Sequence, residues 1–89
     1  MTDLGTRDRP CLLVIDDDPD LGPILAEGLA PRMDVVVAHN WTDANARLCE
    51  QRFHAILLDL FLPDAALMEP LEAIREQDPD YPVILMSGN

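Results

Sequence analysis

The sequence predicts an α/β domain built on an open parallel sheet with helices on both faces. Short continuous apolar runs recur along the chain, which is typical of strands covered on both faces. Segments with apolar residues at helical spacing separate these runs, and such alternation implies right-handed crossovers between parallel strands. The predicted order of elements is therefore β-α-β-α-β-α-β.

Four apolar runs are the predicted strands of this sheet. Residues 1–10 precede them, are polar and contain Gly and Pro, so we expect a flexible lead-in before a single domain over 11–89. The four runs are CLLVI at 11–15, MDVVVA at 33–38, AILLDL at 55–60 and VILM at 83–86.

Each of the three segments between the runs carries apolar residues at helical spacing, which predicts an amphipathic helix. These residues are Leu21, Leu25 and Leu29 in the first segment, Ala44, Leu48 and Phe53 in the second, and Leu67, Leu71 and Ile74 in the third.

Polar residues and prolines predict where the helices begin. Asp18 and Pro19 suit the N-cap and first position of the first helix, and Thr42 suits the N-cap of the second. Pro23 and Pro70 conflict with early starts, because a proline in a helix interior costs about 3 kcal/mol. We therefore expect a late start or a kink at each of these two prolines.

Composition excludes several classes of protein. The formal net charge of -11 lacks the basic footprint that duplex nucleic-acid binding needs. No apolar run approaches the roughly 18 residues that span a bilayer, and the first residues lack the apolar core of a signal peptide. Cys11 and Cys49 lack metal-site spacing and are interpreted as reduced, mostly buried thiols. We expect a cytoplasmic protein that contacts neither nucleic acid nor membrane.

Polar side chains follow three of the predicted strands. Asp16 and Asp17 follow the first strand, Asp59 lies in the third, and Ser87 follows the fourth. Ligands of open parallel sheets collect beyond the carboxyl ends of the strands, where these residues would meet. Three converging carboxylates repel one another unless a cation lies among them, and hard oxygen ligands of this kind suit Mg²⁺.

Together these residues resemble the receiver domain of two-component response regulators. The resemblance covers residues 11–89 and implies a flavodoxin-like, CheY-like sheet that lacks the last helix-strand-helix portion. It rests on Asp16 and Asp17 after an apolar strand, Asp59 after AILL, Pro63 four residues beyond Asp59, and Ser87 and Gly88 closing the strand VILM.

The resemblance implies a role for each of these residues. Asp59 would accept a phosphoryl group from a histidine kinase or a phosphotransfer protein. Asp17, with Asp16 partly through water, would hold Mg²⁺ together with Asp59 and the backbone carbonyl of Phe61. Ser87 would hydrogen-bond a phosphoryl oxygen, so that its loop shifts and signals. Such a domain is not a turnover enzyme, since its chemistry acts only on itself.

The sequence also departs from the family pattern. Receiver domains continue through another helix, a fifth strand ending in a phosphate-binding lysine, and a last helix, whereas this sequence stops at Asn89 and contains no lysine. We expect slow phosphorylation or a phosphorylated state without output. The fourth strand would lie at a sheet edge with unpaired backbone groups, which predicts a homo-oligomer. Ala66 and Leu67 replace a common acidic residue and glycine, and predict a different loop path.

Two other functions stay open at this stage. The first is a phosphorylation-independent pseudo-receiver that acts as a binding or dimerisation module. The second is a Mg²⁺-dependent phosphohydrolase, although its DxD spacing exists only between Asp16 and Asp18 and the short chain leaves little room for a cap. His39 and His54 are interpreted as structural or solvent-facing.

Overall fold

A computed structural model describes residues 9–30 and 32–86, which form a four-stranded parallel sheet with three helices. The strands and helices follow one another in the predicted order. They are β1 Cys11–Ile15, α1 Leu21–Leu29, β2 Asp34–Ala38, α2 Trp41–Glu50, β3 Ala55–Asp59, α3 Glu69–Gln77 and β4 Val83–Met86.

The sheet has the order β2-β1-β3-β4, and each neighbouring pair of strands is parallel. This arrangement confirms the predicted α/β class. Most of the predicted lead-in, residues 1–8, lies outside the described residues. Arg9 already contacts the fold, since its Nε lies 3.1 Å from Asp34 Oδ1.

The main core lies on the face of the sheet that α2 and α3 cover. Leu13 pairs in register with Ile56, and both are fully buried. α2 contributes Ala44 and α3 contributes Ile74 to the same cluster. The other buried members are Ile15, Ala38, Phe53, Leu58, Leu62 and Tyr81.

The opposite face is covered by α1, so the described helices lie on both faces as predicted. Gly22 of α1 lies so close to β2 that an added Cβ would be 2.7 Å from the Val37 methyl groups. Successive strand residues face opposite sides, so Val37 faces away from the core that Ala38 joins. None of the described helices is long and apolar enough to cross a membrane.

Phe53 was predicted on the second helix, and this prediction is wrong because α2 ends at Glu50. Phe53 instead lies in the connection to β3, where it is only 2 % exposed. Its backbone N–H donates to the hydroxyl of Tyr81 at 2.8 Å, which satisfies a polar group that would otherwise be buried alone.

Pro23 and Pro70 each lie in the first turn of a helix, where the backbone N–H groups have no intrahelical partner. α1 begins after Asp20, which is its N-cap, so the predicted start at Asp18 and Pro19 is wrong. Pro23 is then the third residue of α1, and Pro70 is the second residue of α3. The expected late start is confirmed at both prolines. Thr42, the predicted cap of α2, is its second residue.

Among the described strands, β4 pairs with β3 alone, so its other edge has no partner in this part of the chain. Ile84 and Leu85 on this strand are 58 % and 45 % exposed. Self-association through this edge stays a prediction. We expect light scattering at micromolar concentration to give a mass above one chain. Salt should strengthen the association, because the net charge of -11 opposes it.

The control for this prediction is Ile84→Lys, which places a charge on the exposed strand edge and should give a monomer. A monodisperse monomer of the unchanged chain at both low and high salt would contradict the prediction.

Candidate functional site

The candidate site lies where β1 and β3 end side by side. β1 is followed by Asp16 and Asp17, and β3 ends in Asp59. One carboxylate oxygen from each of the three residues lies within 4.8 Å of the others. The structure therefore brings together three of the residues singled out from the sequence, whereas Ser87 lies outside the described residues.

The three carboxylates open into a cleft of about 500 Å³. Because a water molecule occupies about 30 Å³ in the liquid, this volume has room for a cation with several of its waters and a further small group. No basic side chain is among the described residues that line it, which are Asp16, Asp17, Asp18, Leu21, Asp59, Phe61 and Met86.

Backbone hydrogen bonds fix the two buried carboxylates of the site. Asp16 is 9 % exposed, and its Oδ1 accepts from the Asp18 N–H at 2.9 Å. Asp59 is 7 % exposed, and its Oδ1 accepts from the Phe61 N–H at 2.9 Å. A carboxylate offers about four acceptor positions, so one backbone donor leaves most of each group available to a cation.

Burial raises the pKa of Asp16 above its ordinary value, and the neighbouring carboxylates of Asp59 and Asp17 raise it further, against the opposing hydrogen bond from Asp18. The ionised site is therefore unfavourable by itself. Three crowded oxygen donors without a cationic side chain along the described lining fit a hard divalent cation such as Mg²⁺, which would offset this repulsion.

We expect Asp16→Asn to stabilise the metal-free domain at neutral pH. Unit charges at 4.8 Å repel by about 1 kcal/mol even in a water-like dielectric, and the substitution removes that repulsion. Folding raises the pKa of Asp16 above its ordinary value of 3.8. Asp16 therefore contributes fully to the stability of the parent below pH 3.8, and this contribution is lost as the pH rises through the raised pKa of the folded state. The stability difference between variant and parent should therefore grow with pH.

Urea unfolding in the presence of a chelator, repeated from pH 4 to 7, measures this difference. Asp17→Asn is the matched control, because Asp17 is exposed and its charge is better solvated. An Asp16→Asn variant that is no more stable than the parent at neutral pH would contradict the expectation.

The two histidines contact backbone atoms. His39 Nδ1 lies 3.3 Å from the carbonyl oxygen of Asp16, and His54 Nδ1 accepts from the Cys11 N–H at 3.0 Å. Both contacts agree with the structural interpretation. The expected burial of the two cysteines is wrong for Cys49, which is exposed, whereas Cys11 is half-buried.

Sequence reasoning missed one residue in the loop that follows Asp59, namely Asp64. Its carboxylate accepts from the N–H groups of Trp41 and Thr42 at 2.7 and 2.9 Å, and from the Thr42 hydroxyl at 2.8 Å. These bonds join the loop after Asp59 to the start of α2. No local pattern could have shown them, because the partners lie 22 and 23 residues away in the sequence.

Comparison with known proteins identifies the family. A sequence model of the response regulator receiver domain matches residues 12–89. The chain is 34 % identical over 80 residues to the transcriptional regulatory protein PrrA of Mycobacterium tuberculosis. This match covers 89 % of this chain and 34 % of PrrA. It is 30 % identical over 78 residues to the probable transcriptional regulatory protein TcrX of the same species, covering 86 % of this chain and 33 % of TcrX. The chain thus spans about a third of the length of these relatives.

Solved structures give the same result. The response regulator DrrB of Thermotoga maritima superposes with a TM-score of 0.75 at 30 % identity, covering 85 % of this chain and 34 % of DrrB. The response regulator TrrA of Thermotoga maritima, solved in complex with Mg²⁺-BeF, has a TM-score of 0.77 at 26 % identity, covering 85 % of this chain and 67 % of TrrA. The sequence match, the strand order and these superpositions agree, and the chain belongs to the receiver domains of two-component response regulators.

Proposed function

We propose that this receiver domain accepts a phosphoryl group on Asp59 from a histidine kinase or a phosphotransfer protein. The observation that carries the proposal is the approach of Asp16, Asp17 and Asp59 to within 4.8 Å at the strand ends. A structural role does not explain such a cluster, because burial and the neighbouring carboxylates both raise the pKa of Asp16.

The hydrogen bonds of Asp59 indicate which of its oxygens reacts. Oδ1 is engaged by the Phe61 N–H at 2.9 Å, so Oδ2 is the acceptor atom in our proposal. The bond from Oδ2 to phosphorus forms as the bond from phosphorus to the donor histidine nitrogen breaks, and the electron pair of the broken bond stays on that nitrogen. The product is an acyl phosphate.

The residues around Asp59 fit the Mg²⁺ that such a transfer uses. Asp17, Asp59 and the backbone carbonyl of Phe61 would hold the ion, with Asp16 acting partly through water. When bound, Mg²⁺ supplies positive charge beside the transferring group. The TrrA complex with Mg²⁺-BeF supports such a site within the family. Ser87 would donate to a phosphoryl oxygen and so couple phosphorylation to a shift of its loop.

One observation favours a second candidate, a pseudo-receiver that binds partners or dimerises without phosphorylation. No basic side chain is among the described residues that line the cleft, so none of them supplies a cation to pair with a phosphoryl group there. In the primary proposal the domain is not a turnover enzyme.

Intact mass measurement after incubation with Mg²⁺ and acetyl phosphate tests the proposal. We expect the mass of one added phosphoryl group, and none when a chelator replaces Mg²⁺. If Mg²⁺ binds in calorimetry but the mass does not change, the pseudo-receiver takes first place. Release of many phosphates per chain from a generic phosphate ester would instead indicate a phosphohydrolase.

A further inference from the structure

The loop between β3 and α3, residues 60–68, is hydrogen-bonded to its surroundings on both sides of Phe61. At its start, the Leu60 N–H donates to the Met86 carbonyl at 3.0 Å and the Phe61 N–H donates to Asp59 Oδ1 at 2.9 Å. The fifth residue of the loop, Asp64, accepts hydrogen bonds from the first residues of α2. Phe61 therefore lies on a short segment that is fixed at both ends.

The second anchor belongs to a complete cap on α2. Asp64 accepts the N–H groups of Trp41 and Thr42, the first two residues of the helix, and the Asn40 side chain accepts the third, from Asp43, at 2.7 Å. The first N–H groups of a helix have no intrahelical partner. Asn40 cannot replace Asp64, because its side chain already serves a different donor.

Asp64 suits this position in charge as well as geometry. The N–H groups of Trp41 and Thr42 lower the pKa of Asp64, so it is ionised at neutral pH. Its negative charge also lies at the positive end of the helix dipole. α2 is a firm support, since Ala44 is fully buried and Trp41 packs against the core.

Most side chains of this loop are exposed in the described structure. Leu62 is buried, at 6 % exposure, but Phe61, Pro63 and Leu67 are exposed. A backbone carbonyl cannot be re-aimed by a side-chain rotation, so the path of the loop alone sets where the Phe61 carbonyl lies. Mg²⁺ demands near-ideal octahedral geometry at about 2.0 to 2.1 Å, which makes its affinity sensitive to small shifts of a ligand.

We propose that Asp64 is a positioning residue for the metal site, which fixes the Phe61 carbonyl by tying the β3 to α3 loop to the start of α2. This inference rests on the proposed function, because it takes the Phe61 carbonyl as a Mg²⁺ ligand. By linkage, Mg²⁺ bound in the cleft also strengthens the bonds between Asp64 and α2.

Calorimetric titration with Mg²⁺ alone tests the inference on the whole chain. We expect Asp64→Asn and Asp64→Glu each to weaken Mg²⁺ binding about tenfold, the usual effect of losing a residue that orients a metal ligand. Asn keeps the size but loses the charge and an acceptor, whereas Glu keeps the charge but moves the carboxylate. If Asp64 acted only through its charge, Asp64→Glu would bind like the parent, and the inference would be overturned.

Two further variants separate positioning from simple destabilisation. Asn40→Ala removes the other cap of α2 and leaves the Asp64 bonds in place, so we expect an unchanged Mg²⁺ affinity. An equal loss in Asn40→Ala and Asp64→Asn would overturn the inference. Should the Asp64 variants fail to fold, Thr42→Val removes only the hydroxyl bond to Asp64 and should weaken binding about threefold. Unchanged affinity in Thr42→Val would then overturn it.

A second readout does not depend on affinity. In ¹⁵N spectra of the parent, Mg²⁺ should shift the amide signals of Trp41 and Thr42, and Asp64→Asn should remove these shifts. The proposed function requires that the parent shows a heat of Mg²⁺ binding in calorimetry and that Asp59→Asn removes this heat. If either result is absent, the proposed function fails. If the parent binds Mg²⁺ and the Asp64 variants bind it equally well, only the role of Asp64 fails.

Discussion

Asp59→Asn is expected to abolish phosphoryl uptake while making the metal-free domain more stable. Asn has the shape of Asp, and its Oδ1 can keep the hydrogen bond from the Phe61 N–H. It lacks a nucleophilic carboxylate oxygen, so an acyl phosphate cannot form on it. The substitution also removes a charge that is 7 % exposed and close to Asp16. Relief of about 1 kcal/mol of repulsion would raise the Tm by about 4 to 8 °C for a domain of this size.

Intact mass after incubation with Mg²⁺ and acetyl phosphate measures the first effect, and thermal unfolding in a chelator measures the second. Asp80→Asn is the matched control, since Asp80 is exposed in the turn before β4 and lies outside the acidic cluster. It should take up a phosphoryl group and melt like the parent. Phosphorylation of Asp59→Asn to the same extent as the parent would place the acceptor on another side chain and refute the proposed role of Asp59.

The fold could be predicted because strands of a parallel sheet are buried on both faces. That burial requires continuous apolar runs, and CLLVI is a direct example, with Leu13, Val14 and Ile15 all at 0 % exposure. The observed bounds of two strands differ from the predicted ones by one residue each. MDVVVA was predicted from Met33, whereas β2 begins at Asp34, and AILLDL was predicted to Leu60, whereas β3 ends at Asp59.

Helix starts were harder to predict, because short polar side chains can bond their own backbone in more than one way. Asp18 has the chemistry of an N-cap, but its Oδ1 accepts from the N–H of Asp20 two residues later, at 2.9 Å. That local turn competes with a helical start and delays α1 to Leu21. At α2 the cap is Asn40, two residues before the predicted Thr42.

The acidic part of the candidate site could be predicted because the topology alone positions it. Once β1 and β3 are neighbours, residues that follow or end these strands must meet, and Asp16, Asp17 and Asp59 do so. The bonds of Asp64 could not be predicted in the same way. They depend on the path of a loop, which leaves no periodic pattern in the sequence.

Ile56→Ala should cost the domain a large share of its stability. Ile56, the second residue of β3, is fully buried between Leu13 on β1 and Val83 on β4. Truncation of a buried Ile to Ala costs about 2 to 5 kcal/mol, through lost transfer free energy and the cavity left behind. A domain of this length has about 4 to 13 kcal/mol in total. Urea unfolding should therefore show a much lower midpoint or a largely unfolded chain.

Ile84→Ala on the neighbouring strand is the matched control, because it removes the same atoms from a side chain that is 58 % exposed. Both substitutions replace a β-branched residue in a strand by alanine, so the loss of strand propensity is similar and the difference between them reports burial. We expect Ile84→Ala to cost less than about 1 kcal/mol. Equal losses in the two variants would mean that the exposed face of β4 is covered in solution. Pairing of the β4 edge with a second chain uses backbone groups and does not by itself cover that face. The same two unfolding curves therefore measure the core behind Asp59 and test whether the β4 surface is free.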